Sequence, residues 1–372
     1  MTKRDRALAM LRDEQPDCIP WYGDLSYWLN YMEATGSLDE KYLGDGQYQL
    51  YRDVGVGFYL QGYWPFRERL CGDVEISKWH EGPLRYRQVR TPLGSIREVW
   101  KYLEDTYSLG PVEHFIKDLK DLKVLRYWIS HITYEDDYAL AERRGRGLIG
   151  DNGLNLCYLP RSPFMELMVN FAGVESLTYA LFDDPAEVEE TLAVMEDRFD
   201  LAARIAVDSP AECLMIPENL TAENIGPDFQ RRFLGPYEKK WTERIRSAGK
   251  FSFVHLDGTM KGIISETAES GFDVLEALTP APVGDLEFQD IHSWVGSDAI
   301  VWGGLPGALF AKTVTDQAFD DHVVRVLKVM REGTLKGERR YVLGVADQVP
   351  PDVSWERIAR VNRLVEEFGR LD

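Results

Sequence analysis

The chain has 372 residues, 62 of them Asp or Glu against 43 Lys or Arg, which gives a formal net charge of −19 at pH 7 with 44% hydrophobic residues. That apolar content excludes wholesale disorder, and the negative field makes nucleic acid and anionic membrane surfaces poor partners. The cysteines, Cys18, Cys71, Cys157 and Cys213, are scattered without a CxxC pair, which suits reduced thiols in a cytoplasmic protein.

The opening "MTKRDRALAMLRDEQPD" is interrupted by acids and predicts an amphipathic helix instead of a signal peptide. No apolar run has the length of a transmembrane helix. Short apolar, β-rich runs then alternate with helical patterns. Strands are expected at 18–23, 54–60, 145–151, 212–218, 251–257, 272–278, 299–305 and 339–345. They lack polar alternation, as parallel strands covered on both faces should. After the second, "PLRYRQVRTPLGSIREVWKYLE" predicts an antiparallel hairpin turning at Thr91-Pro92-Leu93-Gly94.

Helical starts and stops fall between the later strands. Asp184-Pro185 with Glu187 is a capping signal, the stretch from Gly226 is expected to break near Gly235-Pro236, and "AFDDHVVRVLKVMREG" and "SWERIARVNRLVEEFG" each end at glycine. The economical fold is α/β: one (β/α)8 TIM-type barrel domain over 1–372, with an N-terminal helix and an inserted hairpin near 84–102. A doubly wound sheet is the alternative.

In such barrels the working groups stand at the carboxyl ends of the strands. There this sequence keeps Glu218-Asn219, His255 with Asp257, and Glu276, with Asp24, Asp151-Asn152 and Asp347 also near predicted strand ends. Converging carboxylates with one imidazole suit a metal ion or acid–base chemistry. Each has a structural alternative: His255 as a core histidine, Glu218 as a helix cap, Asp257-Gly258 as a turn, Asp285 as an N-cap. His255 and Asp257 are two apart and share a face, and an unpartnered Glu276 in apolar surroundings would be costly. His80, His114, His131, His292 and His322 show no ligand spacing. Trp21, Tyr22, Tyr27 and Trp28 cluster after the first strand, and Tyr59 and Trp64 after the second. These rings are core or the wall of a pocket for a flat ligand.

"VHLDGTMKGIISETAESGFDVLEALTPAPVGDL" from Val254 resembles the signature region of the uroporphyrinogen decarboxylase superfamily. "PDCIPW", "TPLGSIRE", "SPFMELMVNFAGVESLTYALFDDPAEVEETL", "WGGLPG" and "GVADQVPPDVSWERIARV" extend the resemblance over nearly the whole chain. It implies the barrel fold and either decarboxylation or corrinoid-dependent methyl transfer. "CIPWYGDLSYW" lacks the arginines that decarboxylases of this family use for tetrapyrroles. Where thiol-alkylating methyltransferases present His-x-Cys and a later cysteine to zinc, this chain has His255, Asp257 and Asp347.

The resemblance therefore implies the demethylating branch. It takes methyl from a small, methoxylated aromatic donor and passes it to a corrinoid (cobalamin) carried on a partner protein. Expected roles are catalytic or zinc-binding for Glu218, His255 and Asp257. Trp21, Tyr22, Tyr27, Trp28, Tyr59, Trp64, Asn219 and Glu276 are expected to bind the donor. A homodimer is compatible with this reading. A decarboxylase or lyase for a small aromatic or heterocyclic acid and a non-catalytic barrel that binds a ligand or partner are the alternatives.

Overall fold

The computed structural model describes residues 1–60, 62–104, 107–338 and 340–372. In chain order its strands are β1 (Trp21–Asp24), β2 (Phe66–Leu70), β3 (Glu75–Glu81), β4 (Leu84–Thr91), β5 (Gly94–Leu103), β6 (Ser108–Glu113) and β7 (Ile132–Asp136). They continue with β8 (Leu156–Tyr158), β9 (Cys213–Leu220), β10 (Phe251–Leu256), β11 (Val274–Leu278), β12 (Ile300–Pro306) and β13 (Tyr341–Gln348). The chain folds into two compact units, one of residues 1–63, 138–158 and 209–372, the other of 64–137 and 159–208.

The first unit is built on a parallel sheet in the order β1-β13-β12-β11-β10-β9-β8. Strands β10, β11 and β12 are buried almost throughout, which is why their sequences run apolar without alternation. The expected second strand contributes only bridges, yet these join the two sheet edges. Gly57 N–H donates to the Trp21 carbonyl at 3.0 Å, Phe58 N–H to Asn152 at 2.9 Å, and Leu154 N–H to Phe58 at 2.8 Å. The sheet is thereby closed, as a TIM-type barrel requires.

One strand expectation is corrected. Residues 145–151 form helical turns, and the strand is β8 further on. Gly147 and Gly150 take φ of +138° and +53°, which suits turns far better than a ladder. Gly153 then has no room for a side chain, because a Cβ would lie 1.9 Å from the Phe58 carbonyl oxygen. Arg339, where the last predicted strand begins, lies outside the described residues.

Tyr22, Tyr59, Phe253 and Trp302 fill the barrel interior. Trp302 lies 4.7 Å from Tyr59, 5.0 Å from Tyr22 and 5.6 Å from Phe253, between ring centroids. Such pairs contribute about 0.5–1.5 kcal/mol each beyond area burial. The Tyr22 hydroxyl donates to the carbonyl of Lys3, in the N-terminal helix Lys3–Leu11. This ring layer forms the floor beneath the strand ends.

Three strand ends carry non-glycine residues in the left-handed region: Asn219 (φ +57°), Ala277 (+64°) and Asp347 (+64°). Register shifts follow at the ends of β1, β10 and β11. Such irregularities re-aim side chains at barrel rims and collect at functional sites.

The second unit holds the expected hairpin, with Thr91 opposite Gly94, but within a four-stranded antiparallel sheet β3-β4-β5-β6. A separate antiparallel pair joins β2 to β7. Helices Leu119–Ser130 and Pro185–Asp208 belong to the same unit and are tied by Arg126, which reaches Glu187 at 2.8 Å. Asp184 accepts from Glu187 N–H, so the predicted capping signal is present.

Candidate active site

At the carboxyl ends of β10 and β11, His255 and Glu276 are direct cross-strand neighbours. Their side chains share a short hydrogen bond, Nδ1 to Oε2 at 2.6 Å, and the other Glu276 oxygen accepts from the Tyr59 hydroxyl at 2.6 Å. Glu276 is fully buried and His255 is 8% exposed. On its far side, His255 Nε2 faces Asp347 Oδ1 at 3.8 Å. Burial opposes a charge on His255, but the Glu276 carboxylate, with Asp347 and Asp257, outweighs it and raises the pKa to about 9. The ring is therefore an imidazolium at neutral pH. Burial also holds the Tyr59 hydroxyl protonated, reinforced by Glu276.

Asp24, at the end of β1, belongs to the same group. It is buried, it accepts from Ser26 N–H at 2.8 Å, and the Ser26 hydroxyl donates to the same oxygen. Burial raises its pKa to about 7, with Asp347 and Glu276 pushing the same way against the Ser26 hydrogen bonds. Asp347 is also raised, first by burial, then by Asp257 and Glu276, while His255 opposes. Tyr27 stands among these acids, its hydroxyl pKa raised by burial and by Asp347, Asp24 and Asp257. The arrangement is a charged imidazole between acids, beside a carboxyl that is half protonated near neutrality. It can hold, give and take a proton above an aromatic floor.

The "TPAPVGD" segment supports this group from behind. A Cβ on Gly284 would lie 2.0 Å from the Thr279 carbonyl oxygen, so only glycine fits. Asp285 accepts from Met260 N–H at 2.8 Å and Lys261 N–H at 3.0 Å. It thus clamps the turn that follows His255-x-Asp257-Gly258, a different task from the N-cap of its own following helix.

Of the residues expected from sequence, His255, Asp257, Glu276, Tyr59 and Tyr27 meet here. Glu218 acts on a different carboxyl. Val254 pairs with Ile216 and Leu256 with Leu220, so Glu218 lies in the irregular stretch between the two registers. Its charge acts on buried Glu238 of the helix Gly235–Ser247, which accepts from Gln230 and Ser270 at 2.7 Å each. Among the described residues, no three His, Cys, Asp or Glu side chains stand in metal-holding geometry.

The remaining expected residues are placed elsewhere. Trp21 is buried and, alternating with inward Tyr22, faces out of the barrel beside Gly23. Tyr22 belongs to the interior ring layer. Trp28 is buried and its indole N–H donates to the Val353 carbonyl. Asn219 forms the irregular end of β9. Trp64 belongs to the second unit, where it packs on Phe66. Asp151 is exposed in a turn before β8, on its amino side. Asp24 and Asp347 carry more of the site than sequence reading assigned them. The available signal was parity: Asp24 is two residues from inward Tyr22.

No curated protein matches the chain. Among solved structures, a methyltransferase from Methanosarcina mazei superposes with a TM-score of 0.60 at 16% identity, covering 99% of both chains, which supports the fold. No helix among the described residues is long and apolar enough to cross a membrane. The family model for uroporphyrinogen decarboxylase (URO-D) matches residues 161–368, more than half of the sequence, including His255, Glu276 and Asp347. The chain belongs to the uroporphyrinogen decarboxylase family.

Proposed function

We propose that the barrel mouth is a methyltransferase centre, taking methyl from a small methoxylated aromatic donor and delivering it to a corrinoid carried by a partner protein. The observation that carries this reading is the chain Tyr59–Glu276–His255, facing Asp347, with Asp24 near neutrality beside it. The methyltransferase fold neighbour supports the reaction class.

A methyl ether is a reluctant donor because its oxygen leaves as an anion. Negative charge develops on that oxygen in the transition state, and a placed proton lowers the barrier. Asp24, half protonated near pH 7, is the proton donor. Charged His255, held by Glu276, stabilises the oxygen as its bond to carbon breaks. Tyr27 contributes a ring and a protonated hydroxyl at the same mouth. The reduced corrinoid, when bound, supplies the cobalt nucleophile. The mouth is open to such a visitor, since Asp257 is exposed and the Asp347 side chain is 48% exposed. The acidic chain favours a partner with a basic docking face.

The test is to incubate the protein with reduced cobalamin and methoxyaromatic, methylamine or methyl sulfide donors, following the cobalt absorption spectrum. Methylation of cobalt with the methoxyaromatic is the expected result. No spectral change with any donor would sink the reading, and carbon dioxide release from an aromatic acid without cobalamin would replace it with decarboxylation.

A further inference from the structure

The barrel mouth, which lies wholly within the unit of residues 1–63, 138–158 and 209–372, carries more acid than its one cation can balance. His255 divides its charge between Glu276 at 2.6 Å and Asp347 at 3.8 Å. Asp257 is exposed and its carboxylate has no hydrogen bond or ion pair among the described residues. The charges that bear most on Asp24, Tyr27, His255 and Asp347 come from these acids and this imidazole, and none belongs to a lysine or arginine. Even with Asp24 counted as neutral, the mouth keeps a surplus of negative charge.

The hydrogen-bonding groups at this mouth are of two kinds. Asp24 is 4% exposed, and Ser26 occupies its Oδ1 twice, while Oδ2 has no hydrogen-bond partner among the described residues. When protonated, that second oxygen donates to an acceptor such as an ether oxygen. Asp257 and the half-exposed Asp347 are the opposite kind, ionised acceptors open at the rim, with the ring of Tyr27 beside them. The complement is a flat molecule with an ether oxygen at one position and a hydrogen-bond donor at another. A carboxylate in the second position would meet Asp257 and Asp347 with no lysine or arginine to offset the repulsion, which is strong at a few ångströms in a partly desolvated site.

We propose that the mouth selects its methoxylated donor by charge: it takes methoxyphenols, whose ring hydroxyl donates to Asp347 or Asp257 while Asp24 serves the ether oxygen, and refuses methoxybenzoates. The inference rests on the methyl-transfer reading for the ether. It narrows that reading from any methoxyarene to an uncharged one that carries a hydroxyl. A phenol is neutral at pH 7 and keeps its proton to donate. The same surplus of negative charge works against the aromatic acid that a decarboxylase would need to bind.

Calorimetric titration of the intact chain at pH 7, without cobalamin, with 3-methoxyphenol, methoxybenzene and 3-methoxybenzoate tests the selection. The phenol binds about tenfold or more tightly than the benzoate, with methoxybenzene between them. Asp257→Asn and Asp347→Asn together narrow the phenol-to-benzoate ratio to about threefold or less. Asparagine suits the left-handed backbone at position 347, so the fold holds. Asp321→Asn, on the exposed side of the helix Asp316–Leu335, removes a charge elsewhere and leaves the ratio unchanged. Equal or tighter binding of the benzoate, a ratio that survives the double substitution, or no saturable heat with any of the three overturns the proposal. The cobalt assay keeps this failure apart from failure of methyl transfer. Cobalt methylated from 3-methoxybenzoate alone overturns the charge selection and leaves the transfer reading standing, whereas phenol-selective binding without cobalt methylation sinks the transfer reading and upholds the selection.

Discussion

Glu276, at the end of β11, and Glu238, on the helix Gly235–Ser247, are both fully buried carboxyls in the barrel unit. Glu276 is matched by a cation, the His255 ring at 2.6 Å, and its second oxygen takes the Tyr59 hydroxyl. Glu238 has the Glu218 carboxyl nearby, and its hydrogen-bond donors among the described residues are the neutral Gln230 and Ser270. Burial, then Glu218, raises its pKa to about 8 in spite of those hydrogen bonds, so it carries its own proton at neutral pH. A carboxyl balanced by a neighbouring titratable cation remains coupled to a reacting atom. One balanced by its own proton, away from the mouth, is part of the packing.

Removing the cation tests this contrast most severely. His255→Asn leaves Glu276 buried with Tyr59 alone, and breaking a buried pair from one side costs about 3–5 kcal/mol. Urea unfolding at pH 7 measures that loss, and His255→Asn with Glu276→Gln should recover most of it. Methyl transfer should fall about a hundred- to ten-thousand-fold in the single variant. Unchanged unfolding free energy would show that the pair is not matched in this way. The pH dependence has a definite sign. His255 has a folded pKa of about 9 against about 6.5 for an unfolded histidine, so its stabilisation is complete below 6.5 and lost as pH rises through 9. Wild-type Tm should decline between pH 7 and 9.5 through this group, and the histidine variant should lack that share of the decline.

Asp24→Asn separates chemistry from stability at the same mouth. The amide can still accept from Ser26, so the fold should survive, while the rate falls about a hundred- to ten-thousand-fold. The acid works when protonated and its pKa is about 7, so the wild-type rate should fall as pH rises through that value. The variant's residual rate should lose this limb. A wild-type rate that stays flat from pH 6 to 8 would remove Asp24 from the proton-donor role.

Most of the barrel was legible because its buried strands are unbroken apolar runs, as in β10, β11 and β12. The segments that misled are those where glycine and tertiary contacts decide. Residues 145–151 turn because Gly147 and Gly150 permit it, and segment 56–58 pairs by isolated bridges. At the site, His255 and Glu276 were legible from their strand ends. The surroundings of Glu218 were not, because they depend on the irregular end of β9 at Asn219, which residue type does not reveal. The role of Asp285 was also hidden, since its partners Met260 and Lys261 lie in another loop. Asp285→Ala should cost about 1–2 kcal/mol for the two lost hydrogen bonds. It should also lower the transfer rate by loosening the His255–Asp257 turn. Urea unfolding together with the cobalt assay would check both, and a rate loss without any stability loss would deny the clamp.

Glu238→Gln is the smallest change and the one that most sharpens the contrast. Glu238 has a folded pKa of about 8 against about 4.3 in the unfolded chain. Between those values the folded protein keeps a proton that the unfolded chain has released, so this group's contribution is full below 4.3 and is lost as pH rises through 8. Glutamine copies the protonated acid at nearly the same shape, and its carbonyl can accept from Gln230 and Ser270. At pH 4 the variant's unfolding free energy should lie within about 1 kcal/mol of wild type, and its advantage should grow as pH rises toward 8, with the methyl-transfer rate at pH 7 unchanged. At pH 9 the order should favour the variant, because wild type must then hold Glu238 charged near Glu218 while glutamine carries no charge. Thermal unfolding at the two pH values decides it. A variant that is less stable than wild type at pH 9 would mean that Glu238 is ionised and paired in the native protein, and the two buried carboxyls would then have to be read alike.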